Sequence, residues 1–198
     1  VTLIDPTTAV TGIDAAWRFD GSGGGTNNGL DETSAGNLNG QDVTFEFWVK
    51  PSADTDNDIL FESGGAGTGM AIWIEGDDTS SGGAGETRLN FTVDSTVDGN
   101  ISGVLSTTDY NHVIATYEAD VSGGDDRIRL WINGVMVAEQ VAAFNGWTGG
   151  DNAGLGQLNS AAAEFTEGAG GVNTFAEKNA GNFEGELAAM RVYTRTYQ

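Results

Sequence analysis

The chain has 198 residues, a formal net charge of −21 at pH 7 and no cysteine. The length fits one domain over residues 1–198, and the missing cysteine excludes disulfides, thiolate metal sites and a cysteine nucleophile. The acidity argues against nucleic acid and anionic membranes as partners, and no apolar run approaches the ~20 residues of a membrane-spanning helix.

The first half of the chain alternates between short apolar runs and glycine-rich loops. Apolar residues at every second position predict strands with one buried face. In the strongest run, VTFEFWVK at residues 43–50, Phe45 and Phe47 share one face and Glu46 and Trp48 share the other. The strands predicted in this half cover residues 1–4, 15–20, 43–50, 59–62, 70–75, 88–93 and 101–105. A polar segment without periodicity, residues 21–41, predicts a long loop.

The second half contains the clearest hairpin, DRIRLWINGVMVAEQ at residues 126–140. Asn133 and Gly134 are the pair best suited to a two-residue type I′ turn, which needs positive φ at both positions. Further strands are predicted over residues 112–118, 153–158 and 186–194, with a second long loop over 159–182. Because no segment has a helical period, the sequence predicts an all-β, antiparallel two-sheet sandwich of the jelly-roll type.

Five motifs in order carry a family resemblance: FDG at 19–21, VTFEFWVKP at 43–51, HVIATYE at 112–118, RLWINGVMV at 129–137 and FEGELAAMRVY at 183–193. Together they resemble the laminin-G-like, concanavalin-A-like jelly-roll domains of bacterial surface and secreted proteins. The resemblance implies a non-catalytic extracellular module that binds glycans or proteins, often with calcium on the rim of the sandwich. One departure is the pair Ala188 and Ala189, which stands where the family usually places two acids, so an ion site that depends on those acids is open to question here.

The candidate metal ligands are aspartates. Asp54, Asp56 and Asp58 alternate in the loop ADTDND and offer the hard oxygen ligands that calcium prefers. Asp20, at the end of a strand, is a further candidate. The stretch is not an EF-hand loop, because its sixth position is Ile59 and not glycine. The alternative is a solvated acidic turn that serves solubility.

The candidate sugar-binding residues surround Trp147. An exposed indole next to Asn145 and Asp151 would give a sugar ring a flat apolar face and its hydroxyls hydrogen-bonding partners. The alternative is that Trp147 folds back and caps the core. Other tryptophans lie on predicted strands, and three of them would either line a sheet face or be buried: Trp48, Trp73 and Trp131.

No catalytic constellation is evident. His112 is the only histidine, it begins a strong strand, and no G-x-S-x-G elbow is present. Glycosidases of this architecture carry E-x-D-x-E on one strand, and Glu75 with Asp77 begins that pattern without a second Glu. Glu184 and Glu186 would share a face without an Asp beside them. We therefore expect no enzymatic activity.

These features predict a secreted or surface-displayed recognition or adhesion module that binds glycans, with calcium as the one cofactor to consider. The alternative is a structural part of an extracellular fibre, sheath or adhesin that acts through protein–protein contacts, including self-assembly. A degenerate glycosidase is the third hypothesis. Nucleic-acid binding and membrane insertion are not expected.

Overall fold

The computed structural model describes residues 1–5, 12–21, 30–32, 41–52, 57–63, 69–75, 86–93, 99–144, 153–156 and 181–195. These residues form strands and connections and contain no helix, and thus none that could span a membrane. The predicted two-sheet sandwich is confirmed. The strands in chain order are β1 Thr2–Ile4, β2 Ala16–Asp20, β3 Leu30–Glu32, β4 Val43–Pro51, β5 Asn57–Ser63, β6 Met70–Glu75, β7 Arg88–Val93, β8 Gly99–Val104, β9 Asn111–Ser122, β10 Asp125–Ile132, β11 Val135–Ala142, β12 Ala153–Leu155, β13 Gly181–Asn182 and β14 Glu184–Tyr193.

The strands build two seven-stranded sheets. The first, called the β4 sheet after its central strand, has the order β1-β2-β14-β4-β9-β10-β11. The second, called the β6 sheet, has the order β3-β12-β5-β6-β7-β8, with β13 pairing β5 in parallel. The other strand pairs are antiparallel. The last strand, β14, lies between β2 and β4, so it brings together parts of the chain that are distant in sequence.

The predicted hairpin is confirmed between β10 and β11. Asn133 and Gly134 have φ values of 52° and 79°, as a type I′ turn requires. The register shifts by one residue between Leu130 and Trp131. The shift is a β-bulge, and it places Val137 outside the regular ladder.

The core lies between the sheets and consists of the apolar residues that alternate along the strands. Phe45, on the β4 sheet, has its ring centroid 5.3 Å from Phe61 and 6.4 Å from Phe91, both on the β6 sheet. All three are buried. Each buried phenylalanine contributes roughly 1.5–3 kcal/mol by removal of apolar surface from water.

Three short features differ from the sequence expectation. Residues 30–32 form β3 inside the predicted loop 21–41, and residues 181–182 form β13 at the end of the predicted loop 159–182. Strands of two or three residues are too short to show an alternating pattern. In addition, β5 begins at Asn57, so Asp58 lies in a strand and not in the acidic loop before it, because the ladder with β6 continues to Glu75.

Candidate functional site

The outward face of the β4 sheet combines charged and aromatic side chains. Five of the eight Lys and Arg residues lie on strands of this sheet: Arg18, Lys50, Arg127, Arg129 and Arg191. In a chain of net charge −21, this distribution gives one face a concentration of hydrogen-bond donors.

A pocket of about 180 Å³ opens where β2, β4 and β14 lie side by side. We call it the Arg18 pocket. Arg18 and Lys50 both stand opposite Glu186 in the ladders, one from each side. The pocket is lined by charged and hydroxyl-bearing residues together with the apolar Phe19 and Pro51. The polar lining residues are Arg18, Lys50, Ser52, Thr107, Glu184 and Glu186.

An ion pair between Arg18 and Glu186 forms part of the wall of the Arg18 pocket. Arg18 Nη2 donates to Glu186 Oε1 at 2.8 Å, and Tyr110 Oη donates to Glu186 Oε2 at 2.7 Å. Burial and the bond to this carboxylate raise the pKa of Tyr110, which keeps its hydroxyl a donor. The Glu186 side chain is 7% exposed and that of Arg18 is 49% exposed. Because a guanidinium carries five N–H donors, Arg18 retains donors for a ligand after binding Glu186.

Two further features shape this pocket. Ser52 Oγ is buried and makes no hydrogen bond within the described residues, so it is an unsatisfied hydroxyl beneath the pocket and not an exposed donor. Gly185 has a φ of 151°, and a Cβ there would lie 2.6 Å from the backbone oxygen of Lys50. Glycine is therefore required for β14 to lie against β4 at the pocket.

A second cluster on the same face is built around Glu46. Its carboxylate accepts hydrogen bonds from Tyr193 Oη at 2.9 Å and Arg191 Nη1 at 3.5 Å, and lies 3.1 Å from His112 Nε2. Burial opposes ionisation of Glu46. The hydrogen bonds from Tyr193 and His112 and the charges of His112 and Arg191 outweigh burial, and the pKa of Glu46 is lowered.

Trp48 belongs to this cluster and offers no free ring face. The His112 ring stacks on it at 4.2 Å, and the Arg191 guanidinium lies 5.6 Å from its centroid. Since β9 and β14 flank β4 on opposite sides, these two groups cover both faces of the indole. Within the described residues, His112 and Arg191 therefore occupy the space beside the Trp48 ring that a sugar ring would need.

The outward face of the β6 sheet is buried around β5 and β6 and becomes accessible toward β8, where Asn100 is exposed. Trp73 is 5% exposed, and its Nε1 donates to Thr92 Oγ1 at 3.0 Å. Glu62 and Glu75 are also buried. Glu62 stands opposite Ala71, four residues before Glu75, a distance of about 13 Å along a strand. Glycosidases hold their two carboxylates about 5–10 Å apart, a shorter distance than this backbone spacing.

Two of the four predicted calcium ligands, Asp20 and Asp58, lie within the described residues. Asp20 stands opposite Glu184 in the ladder, and Asp58 Oδ2 accepts a hydrogen bond from the Glu184 backbone N–H at 2.9 Å. The structure thus brings Asp20 and Asp58 to the same end of the sandwich. Asp54 and Asp56 lie outside the described residues, and within those residues no group of three or more His, Asp or Glu side chains is arranged to hold a metal. The calcium site stays a prediction.

The predicted sugar-binding residues Asn145, Trp147 and Asp151 also lie outside the described residues, and their role stays a prediction. Sequence reasoning missed the Arg18 pocket. Arg18 and Glu186 are 168 positions apart, and only the strand order makes them neighbours. The one available signal was that Glu184 and Glu186 share a face.

Comparison with protein families gives one match. The model of the concanavalin A-like lectin/glucanase superfamily (Laminin_G_3) matches residues 23–198. The chain therefore belongs to the concanavalin A-like lectin/glucanase superfamily. A comparison with curated proteins finds no match.

Solved structures share the fold at low sequence identity. The CBM40 of the Ruminococcus gnavus IT-sialidase bound to α2,3-sialyllactose has a TM-score of 0.61 and 13% identity, over 92% of this chain and 91% of that one. Domain 4 of AbnA, a GH43 extracellular arabinanase from Geobacillus stearothermophilus, in complex with arabinotriose, has a TM-score of 0.57 and 18% identity, over 99% and 76%. Domains LG4-5 of the mouse laminin α1 chain have a TM-score of 0.56 and 13% identity, over 94% and 44%. At these identities the likeness shows the fold alone.

Proposed function

We propose that this protein is a non-catalytic extracellular module that binds glycans, and that the Arg18 pocket holds one sugar ring. The observation that carries the proposal is the fixed Arg18–Glu186 pair in the wall of an open pocket. The solved neighbours bound to sialyllactose and arabinotriose support this class of ligand.

The chemistry of the pocket suits sugar hydroxyl groups. Each hydroxyl both donates and accepts, and the pocket offers cationic donors beside carboxylate acceptors. Hydrogen bonds to charged groups are roughly twice as strong as neutral ones. A volume of about 180 Å³ lies below the roughly 300–1,000 Å³ of sites for drug-sized ligands, so the pocket fits a terminal ring and not a buried oligosaccharide.

Glu186 is positioned to bind and not to react. Arg18 and Tyr110 each donate to one of its two oxygens, which fixes the carboxylate in the pocket wall as a hydrogen-bond acceptor. We expect glycans to bind without release of reducing sugar.

The test is a glycan array followed by calorimetry on the glycans that bind. We expect Arg18→Ala to weaken binding about 10- to 100-fold, the equivalent of losing one hydrogen bond to a charged group. Arg18 is half exposed, so the variant should fold. Arg127→Ala is the matched control, because Arg127 lies on the same sheet face, bonded to Glu118 through Nε at 3.0 Å, but outside the pocket.

Trp147→Ala separates the pocket from the loop predicted by the sequence. Loss of binding in Trp147→Ala with full binding in Arg18→Ala would move the site to that loop. Absence of binding to any glycan would overturn the proposed function.

We further propose calcium binding near Asp54, Asp56 and Asp58. An ion that binds only the native state raises its stability by mass action. The melting temperature should therefore rise between chelator and millimolar calcium, and the double variant Asp54→Asn, Asp56→Asn should lose that rise. An unchanged wild-type melting temperature would remove calcium from the account.

A further inference from the structure

The exposed apolar side chains of this protein are concentrated at one edge. Within the described residues, nine large hydrophobic side chains are exposed, and five of them lie on β11 and β8. Their exposure runs from 43% for Val137 to 64% for Val135. We call them the β11 edge surface: Val104, Val135, Met136, Val137 and Val141.

This surface is continuous because β8 and β11 meet there. Among the strands that the structure describes, β11 ends the β4 sheet with β10 as its ladder partner, and β8 ends the β6 sheet. The Asn100 backbone N–H donates to Gln140 Oε1 at 3.2 Å across the two strands. A Cβ at Gly103 would lie 2.8 Å from Val137 Cγ2, so glycine lets the two edges approach closely.

The strand that supplies most of this surface carries little charge that would repel a neighbour. β11 contains no Lys, Arg or Pro, and its single charged residue, Glu139, accepts a hydrogen bond from Arg129 Nε at 2.7 Å. Free edges of sheets are usually protected by lysine, proline or inward-pointing charges, since an unprotected edge pairs with other chains. A β-bulge can also protect an edge, and β11 has one at Val137, opposite Leu130 and Trp131 of β10.

We infer that the β11 edge surface is the contact between two copies of this chain, with β11 antiparallel to β11 of the second copy. An uncharged apolar surface on a molecule of net charge −21 is best matched by another uncharged surface, and its own copy provides one. In an antiparallel pairing centred on Ala138, Glu139 stands opposite Val137 of the second copy. The two Glu139 carboxylates are then diagonal neighbours about 7–8 Å apart and not directly opposite each other.

The affinity of the proposed dimer should depend on salt in a distinctive way. Two molecules of charge −21 repel each other, and salt screens that repulsion, with a Debye length of about 10 Å at 0.1 M and about 3 Å at 1 M. An apolar contact between them should therefore strengthen with salt. A contact with a basic partner would weaken instead.

The test is the oligomeric state by analytical ultracentrifugation in 0.1 M and 1 M sodium chloride, with the whole chain. We expect the dimer fraction to rise with salt, and Val135→Lys with Val141→Lys to reduce dimer affinity at least tenfold. The matched control is Val192→Lys, which adds a lysine at an exposed valine on β14, outside the edge, and should leave the dimer intact.

Circular dichroism would show that each variant is folded, and amide hydrogen exchange should show salt-dependent protection along β11. A wild-type chain that stays monomeric at high protein concentration in 1 M salt would overturn the inference. A dimer that survives the lysine pair, or one that Val192→Lys also abolishes, would do so too. Arg18→Ala should not change the dimer, so failure here is separate from failure of the glycan proposal.

Discussion

The outward faces of the two sheets differ in accessibility although the same alternation produces both. On the β4 sheet, the outward positions include exposed cations, Arg18 and Arg191, beside the buried Glu186. On the β6 sheet, outward positions hold Trp73, Glu75 and Asn90, all buried. Alternation therefore predicts which way a side chain points and not whether water or a ligand can reach it.

The difference decides where binding is expected. A glycan needs hydrogen-bonding groups within its reach, and on the β4 sheet the half-exposed Arg18 lines such a pocket. On the β6 sheet, Trp73 uses its indole N–H on Thr92, and Thr92 Oγ1 donates in turn to Asn100 Oδ1 at 3.0 Å. That face uses its polar groups to stabilise the fold.

The largest expected effect is the loss of stability when a tryptophan is replaced by alanine on each of the two sheets. Trp73→Ala removes a buried indole and should lower the free energy of unfolding by about 3–5 kcal/mol. Trp131→Ala, on the β4 sheet, removes a partly exposed one and should cost about 1 kcal/mol. Urea unfolding measures both. Equal losses would mean that the two faces do not differ in burial.

A smaller effect concerns the pH dependence of the Glu46 cluster. The pKa of Glu46 is lowered in the folded state, so its contribution is present above the unfolded value of 4.5 and is lost as the pH falls through the folded pKa. Glu46→Gln should cost about 1 kcal/mol near pH 6, the value of a typical hydrogen bond.

The difference between Glu46→Gln and wild type should shrink as both are acidified, because protonated Glu46 resembles glutamine. Urea unfolding from pH 6 down to pH 3 measures it. A difference that stays constant with pH would show that Glu46 is not held ionised by Tyr193, His112 and Arg191.

Much of the fold could be predicted from the sequence because long strands show their alternation directly. The alternation over residues 43–50 and the Asn133-Gly134 turn pair can be recognised without knowing the tertiary structure. β3 and β13 could not be predicted, since two or three residues form strands only when a neighbouring strand pairs with them. Their existence depends on β12 and β5.

The candidate site was harder to predict than the fold. Arg18, Lys50 and Glu186 come from three strands, and their proximity follows from β14 lying between β2 and β4. The alternation within each strand does not show which strands are neighbours in the sheet. The sequence instead drew attention to Trp48, whose ring faces are covered, and to Trp147 and the aspartates of residues 54–58, whose roles stay predictions.

The most direct test of the account is a titration of the isotope-labelled protein with a bound glycan, followed by backbone amide shifts in NMR spectra. We predict that the largest shifts cluster at Lys50, Ser52 and residues 106–108 and 184–186, around the Arg18 pocket. Shifts that cluster instead on β6, β7 and β8, with none at the pocket, would contradict the central claim that the open face of the β4 sheet binds the ligand.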